Sequence, residues 1–91
     1  MQNAREQGDG RQAFGKAVRR LRRQNELSQE ALGAATGLHR NYVGQLERSE
    51  ISPTLPTILR LAAALEVKPS ELFALAEQLG LLGTAPPEGD A

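Results

Sequence analysis

Apolar residues recur at helical spacing in five short runs of this chain, and the gaps between the runs are brief and polar or marked by glycine and proline. Phe14, Ala17, Val18 and Leu21 fall at i, i+3, i+4 and i+7, so they share one face of a helix from about Arg11 to Asn25. Arg19, Arg20 and Arg23 then point away from that face or sideways. Ser28 is suited to cap a second, short helix, because its hydroxyl accepts from an orphan N–H of the first turn. Leu32 and Thr36 share a face of that helix, Gly33 leaves room beside it for a neighbour, and Gly37 is suited to end it. A third helix, His39 to Arg48, carries only a narrow apolar edge of Leu38, Val43 and Leu46. Ser52-Pro53-Thr54 breaks the chain and offers Thr54 as the cap of a fourth helix, Leu55 to Leu65. The fourth helix is so rich in Leu, Ile and Ala that it is expected to be the most buried. Glu66-Val67-Lys68 makes the next turn, and Pro69 fits the first position of a fifth helix whose Leu72, Phe73, Ala76 and Leu79 continue the core. The pattern predicts an all-α fold.

Ninety-one residues accommodate one domain, expected over 11–82 between a disordered polar arm, 1–10, and a flexible tail, 83–91, rich in Gly and Pro. With two Phe, one Tyr and no Trp, the core must be built from Leu, Ala, Ile and Val. The absence of cysteine rules out disulfides and thiolate metal sites and fits a reducing, cytoplasmic setting. One histidine, no glycine loop for phosphates and no metal-ligand spacing leave nothing from which to build an active site, so no cofactor, metal or enzymatic role is expected. The first ten residues are polar and do not read as a signal peptide, and no apolar run approaches the roughly 18 residues of a membrane span.

The formal net charge is zero, but its distribution is uneven. Residues 11–48 hold eight basic groups against three glutamates, a local charge of +5, and the rest of the chain carries −5. Positive potential is therefore gathered where a polyanion can use it, although a charge run can also be no more than a solvated helix face.

The second and third helices are joined by a short turn containing glycine, the pattern of a helix-turn-helix over about Ser28 to Ser49. Arg40, Asn41, Gly44, Gln45 and Arg48 form one stripe on the third helix. Arginine pairs with guanine O6 and N7, and Asn or Gln with adenine N6 and N7, in the one groove of B-DNA wide enough for a helix. On the stripe alone, a plain surface helix is the commoner outcome.

Residues 17–73 resemble the helix-turn-helix family of phage (lambda) repressors and xenobiotic-response-element regulators. The matching stretches are Val18-Arg19-Arg20-Leu21-Arg22, Leu27-Ser28-Gln29-Glu30-Ala31-Leu32, the run Gly37 to Arg48, Ser52-Pro53-Thr54-Leu55-Pro56-Thr57-Ile58, and Leu65 to Phe73. The resemblance implies a compact five-helix bundle, lambda repressor-like, with the third helix as the reader of double-stranded DNA. It assigns Arg40, Asn41 and Gln45 to base edges. It sets Tyr42 at a phosphate or a thymine methyl, with packing against the bundle as the alternative. Gln29, Ser28, His39, Arg48 and Arg20 are expected at phosphates, and Arg22 and Glu47 match positions that pair as a salt bridge between helices one and three.

This chain departs from the family at several places. His39 stands where Ser or Thr usually caps helix three, and a phosphate or solvent contact suits it better than metal binding. Ser49 replaces a frequent glycine, Gly33 a frequent alanine, and Asn25-Glu26 a more usual apolar residue and glycine. Leu-His-Arg-Asn-Tyr-Val-Gly, residues 38–44, resembles restriction–modification controllers most, beside phage-type repressors and antitoxins. The expected function is sequence-specific transcriptional regulation at a palindromic operator by a homodimer, with an interface at Leu75, Leu79, Leu81 and Leu82. A toxin or polymerase partner stays open. The alternative is an antitoxin or other bundle acting mainly through protein contacts, against which the donors on the stripe argue.

Overall fold

The computed structural model describes residues 10–80, so the expected tail, Leu81, Leu82 and all but the last residue of the expected arm lie outside the described residues. Five helices follow one another: α1 Arg11–Gln24, α2 Gln29–Thr36, α3 Arg40–Glu47, α4 Leu55–Ala64 and α5 Pro69–Gln78. Helix α1 packs on α3 and α5, α2 on α3 and α4, and α4 on α5. The enclosed core is Phe14, Ala17, Val18, Leu32, Val43, Leu46, Leu61, Ala62, Leu65, Leu72 and Ala76. A fully buried leucine contributes about 1.5–3 kcal/mol, and Leu32, Leu46, Leu61, Leu65 and Leu72 are all in that condition. Phe14 and Phe73 tie the first helix to the last, with ring centroids 5.6 Å apart and planes tilted by 42°.

The N-termini of α2 to α5 each have a local chemical reason. Ser28 Oγ accepts from the Ala31 amide at 2.9 Å, and Thr54 Oγ1 accepts from the Thr57 amide at 3.4 Å. His39 also caps its helix: the ring Nδ1 accepts the Asn41 amide at 3.0 Å, which leaves Nε2 as the outward-facing atom. At α5, the Lys68 amide donates to Glu71 Oε1 at 2.7 Å.

The C-termini share a device that glycine content alone does not reveal. After α1, α2, α3 and α4 the chain turns through a left-handed residue: Glu26 (φ 58°), Gly37 (φ 78°), Ser49 (φ 69°) and Glu66 (φ 61°). The next amide then reaches back to the helix, from Leu27 to Arg22 O at 3.0 Å, Leu38 to Gly33 O at 2.8 Å, Glu50 to Gln45 O at 2.8 Å and Val67 to Ala62 O at 3.0 Å. Gly33 is required for a different reason from the room for a neighbouring helix that its position suggested. A β-carbon there would collide with the carbonyl oxygen of Leu38, so the tight α2–α3 turn depends on its absence.

One expectation fails. Helix α4 is not the most buried element: Leu55 is 65% exposed and Leu59 47% exposed. Only the stripe of Thr57, Leu61 and Ala62 is buried within the helix, because the domain covers one side of α4 and leaves the other to solvent.

Candidate nucleic-acid interface

The second and third helices pack on each other and present one polar groove, lined by Gln29, Arg40, Asn41, Gly44, Gln45 and Arg48. Val43 and Leu46 anchor α3 from behind, both essentially inaccessible to solvent. Arg40, Asn41 and Gln45 are exposed on the opposite side. Among the described residues their side chains have no intramolecular hydrogen-bond or ion-pair partner, so their donors and acceptors are available to a ligand. Tyr42 is half-buried and does not line this groove.

A buried polar network fixes the groove from below. Arg22 on α1 donates from Nε to Glu47 Oε2 at 2.6 Å and from Nη2 to Glu47 Oε1 at 3.0 Å, a two-pronged pair. Its remaining Nη1 donates to Leu27 O at 2.8 Å, which ties the α1–α2 turn to the same guanidinium. Glu47 Oε1 also accepts from Gln29 Nε2 at 3.0 Å. A carboxylate can only accept, so it dictates which way the Gln29 amide points: nitrogen toward Glu47, oxygen toward the groove. Helices α1, α2 and α3 are thereby joined through one carboxylate, and the α1–α2 turn through the guanidinium it holds.

Gly44 completes the arrangement. A β-carbon at this position would lie 2.9 Å from Arg48 Nη1 and 3.5 Å from Gln29 Oε1, so these two side chains occupy the space that the missing methyl leaves. Arg48 is steadied by Glu50, with Nε to Oε2 at 3.0 Å and Nη2 to Oε1 at 3.4 Å, both side chains well exposed. The hydrogen bond that Arg48 donates to Glu50, helped by the carboxylate's charge, raises the Arg48 pKa above the ordinary arginine value. Glu50 was not anticipated: it lies two residues on, across a left-handed turn, where no helical spacing points to it.

The other expected contacts divide by position. Ser28 and His39 are exposed at the N-termini of α2 and α3, where unpaired amides favour an anion. Arg20 lies elsewhere, on the outer face of α1 beside Lys16, Arg19, Arg23, Gln24 and Leu79, a second groove that shares no residue with the first. Leu75 and Leu79 are half-buried against the chain's own core. No helix among the described residues is long and apolar enough to cross a membrane.

A short capped helix braced by α2, with an exposed Arg-Asn-Gln stripe, is the geometry of a helix-turn-helix DNA reader. Residues 18–72 match the family described as Helix-turn-helix (HTH_3), and the chain belongs to that family of DNA-binding transcriptional regulators. It is 42% identical over 65 residues to control protein C.SmaI of Serratia marcescens, covering 71% of this chain and 77% of that one. Among solved structures it is similar to the restriction–modification controller protein C.AhdI of Aeromonas hydrophila, with a TM-score of 0.68, 46% identity, and 69% of this chain matched to 96% of the other. The P22 c2 repressor protein, solved in complex with a synthetic operator, gives a TM-score of 0.61 at 34% identity over 65% of this chain and 89% of that one.

Proposed function

We propose that this protein is a cytoplasmic transcriptional regulator of the controller type that binds a palindromic operator as a homodimer, with α3 of each protomer in the major groove. Arg40, Asn41 and Gln45 read bases. Ser28, His39 and Arg48 hold the flanking phosphates through their side chains, and Gln29 through its backbone amide at the start of α2. The observation that carries this reading is the stripe itself: three side chains able to pair with base edges, exposed together and unspent on internal bonds, on a helix clamped by buried apolar residues and a buried ion pair. A plain surface helix needs no such fixing. The similarity to controller proteins and to a repressor solved with its operator supports the same assignment.

A homodimer follows from reach, since one eight-residue helix touches few base pairs and two-fold dimers read half-sites about 34 Å apart. The pairing face belongs on α4 and α5. Leu55 and Leu59 supply its most exposed apolar area, and Leu75 and Leu79 contribute whatever their own core leaves uncovered. Selection from a random DNA library tests the proposal, with a two-fold symmetric site as the expected product. On that site Arg40→Ala is expected to cost about 1–3 kcal/mol and to relax preference at one base pair. An equal loss on selected and random DNA makes Arg40 a phosphate contact and removes it from the reading set.

A further inference from the structure

Outside the groove on α3, one surface of the molecule is strongly charged and has no counter-charge along it. Lys16, Arg19, Arg20 and Arg23 stand at i, i+3, i+4 and i+7 on the exposed side of α1 and line a groove closed by Gln24 and by Leu79 at the end of α5. No carboxylate lines it. None of the four cations has an ion-pair partner among the described residues, whereas Arg22, on the adjoining face of the same helix, is fully paired. Like charges three and four residues apart on a helix repel, so the arrangement opposes folding unless an anion meets it. The stretch from Lys16 to Arg23 rises about 10 Å along the axis, the length of about three base-pair steps of B-DNA. The groove shares no residue with the one on α3, but helix α1 connects the two. Arg22, one residue from Arg23 and three from Arg19, is bonded to Glu47, the last residue of α3.

We propose that this α1 groove is a second DNA contact, which takes the phosphate backbone flanking the half-site read by α3. It rests on the DNA-binding reading above and extends it: the reading groove chooses the sequence, and the α1 groove holds duplex beyond the chosen base pairs. Arg20 then contacts phosphate on the flank and not within the half-site. A groove with four cations, no carboxylate and Leu79 as its one apolar side chain suits a phosphate backbone better than a peptide, whose docking gains from apolar side chains on both partners.

The test compares the full-length protein with the variant Lys16→Gln/Arg19→Gln/Arg23→Gln on two duplexes, the bare selected site and the same site extended by about one helical turn on each side, over a range of salt. Extended DNA is expected to bind the wild type more tightly and with a steeper salt dependence. The variant is expected to lose the gain, its slope falling by about 0.9 for each lost phosphate contact, or roughly sixfold in affinity per doubling of salt for three contacts. Binding to the bare site should keep its affinity and base preference. A wild type indifferent to length, or a variant that keeps the length-dependent gain, overturns the proposal, and the latter leaves an acidic protein as the occupant to seek. A variant equally weakened on both duplexes also overturns it, since the cations then belong to the half-site contact. Failure of the wild type to bind any DNA selectively sinks the functional reading itself, a different outcome from selective binding without a flank effect. A melting temperature of the variant at or above the wild type shows that the fold is intact.

Discussion

Replacing Arg22 with methionine separates the two ways in which the buried ion pair can matter. In the native protein the Glu47 side chain is 3% exposed and takes two hydrogen bonds from Arg22 and one from Gln29. Arg22→Met leaves a buried carboxylate with the Gln29 amide as its only donor of the three, and also strips Leu27 O of its bond from Nη1. Breaking a buried pair from one side costs about 3–5 kcal/mol, while a domain of this length holds roughly 5–14 kcal/mol in all. The single variant should therefore lose roughly a fifth or more of its stability. In urea, with a slope of about 1–3 kcal/mol per molar for small proteins, the midpoint should fall by roughly 2 M. The double variant Arg22→Met/Glu47→Leu removes the stranded charge and fills the same volume with apolar atoms, so its stability should return to within about 1 kcal/mol of the native value. Additive losses in a double-mutant cycle, with the double variant worse than either single one, would refute the reasoning. A second readout concerns function: the rescued double variant has no carboxylate to orient Gln29, so its affinity for the selected site should stay reduced although its stability has recovered. Native affinity in that variant would show that Gln29 is placed by something other than Glu47.

Other expectations follow from backbone and surface. Gly33→Ala should destabilise by about 1–3 kcal/mol in chemical unfolding, because the new methyl meets a backbone oxygen that cannot swing aside, even though alanine is the better helix former. A neutral result would mean that the α2–α3 turn can open. Ser49→Gly should do the reverse: relief of a left-handed residue, about 1–2 kcal/mol, exceeds the added unfolded-chain freedom of glycine, about 0.5–1 kcal/mol, and thermal melting should rise by a few degrees. A lower melting temperature would mean that the serine hydroxyl is doing something the backbone angles do not reveal. Leu55→Glu/Leu59→Glu should sediment as a monomer and keep its helical spectrum, since both leucines are exposed in the protomer. A dimer that survives this change moves the interface onto the α5 flank of Leu75 and Leu79.

What could be read in the chain beforehand was the chemistry that acts locally. Ser28, Thr54 and Pro69 mark helix starts because a hydroxyl or a fixed φ acts on its own turn, and the helices begin where those residues place them. The reading stripe was legible for the same reason, since spacing within one helix is enough to bring Arg40, Asn41 and Gln45 to one side. Features that depend on two elements meeting were not. Three of the four inter-helix turns carry Glu26, Ser49 or Glu66 where glycine would have announced the left-handed bend, and the backbone bonds back to Arg22, Gln45 and Ala62 hold it instead. Helix α4 is apolar on more than one side, so periodicity could not say which stripe would be covered, and Leu55 and Leu59 fell on the uncovered one.

The charge pattern shows the same division with a functional consequence. Summed along residues 11–48, the basic groups look like one surface, but folding sorts seven of the eight into three environments. Arg22 is consumed inside by Glu47, Arg40 and Arg48 line the groove on α3, and Lys16, Arg19, Arg20 and Arg23 line a separate groove along α1. Arginines on neighbouring residues of α1, Arg22 and Arg23, thus differ more in role than Arg22 and Glu47, which carry opposite charges 25 residues apart and act as one unit. A chain with no net charge can still offer cationic surfaces, because among the described residues no carboxylate lines either groove. Glu50 is bonded to Arg48 at the edge of the one on α3, and the buried Glu47 meets it through Gln29.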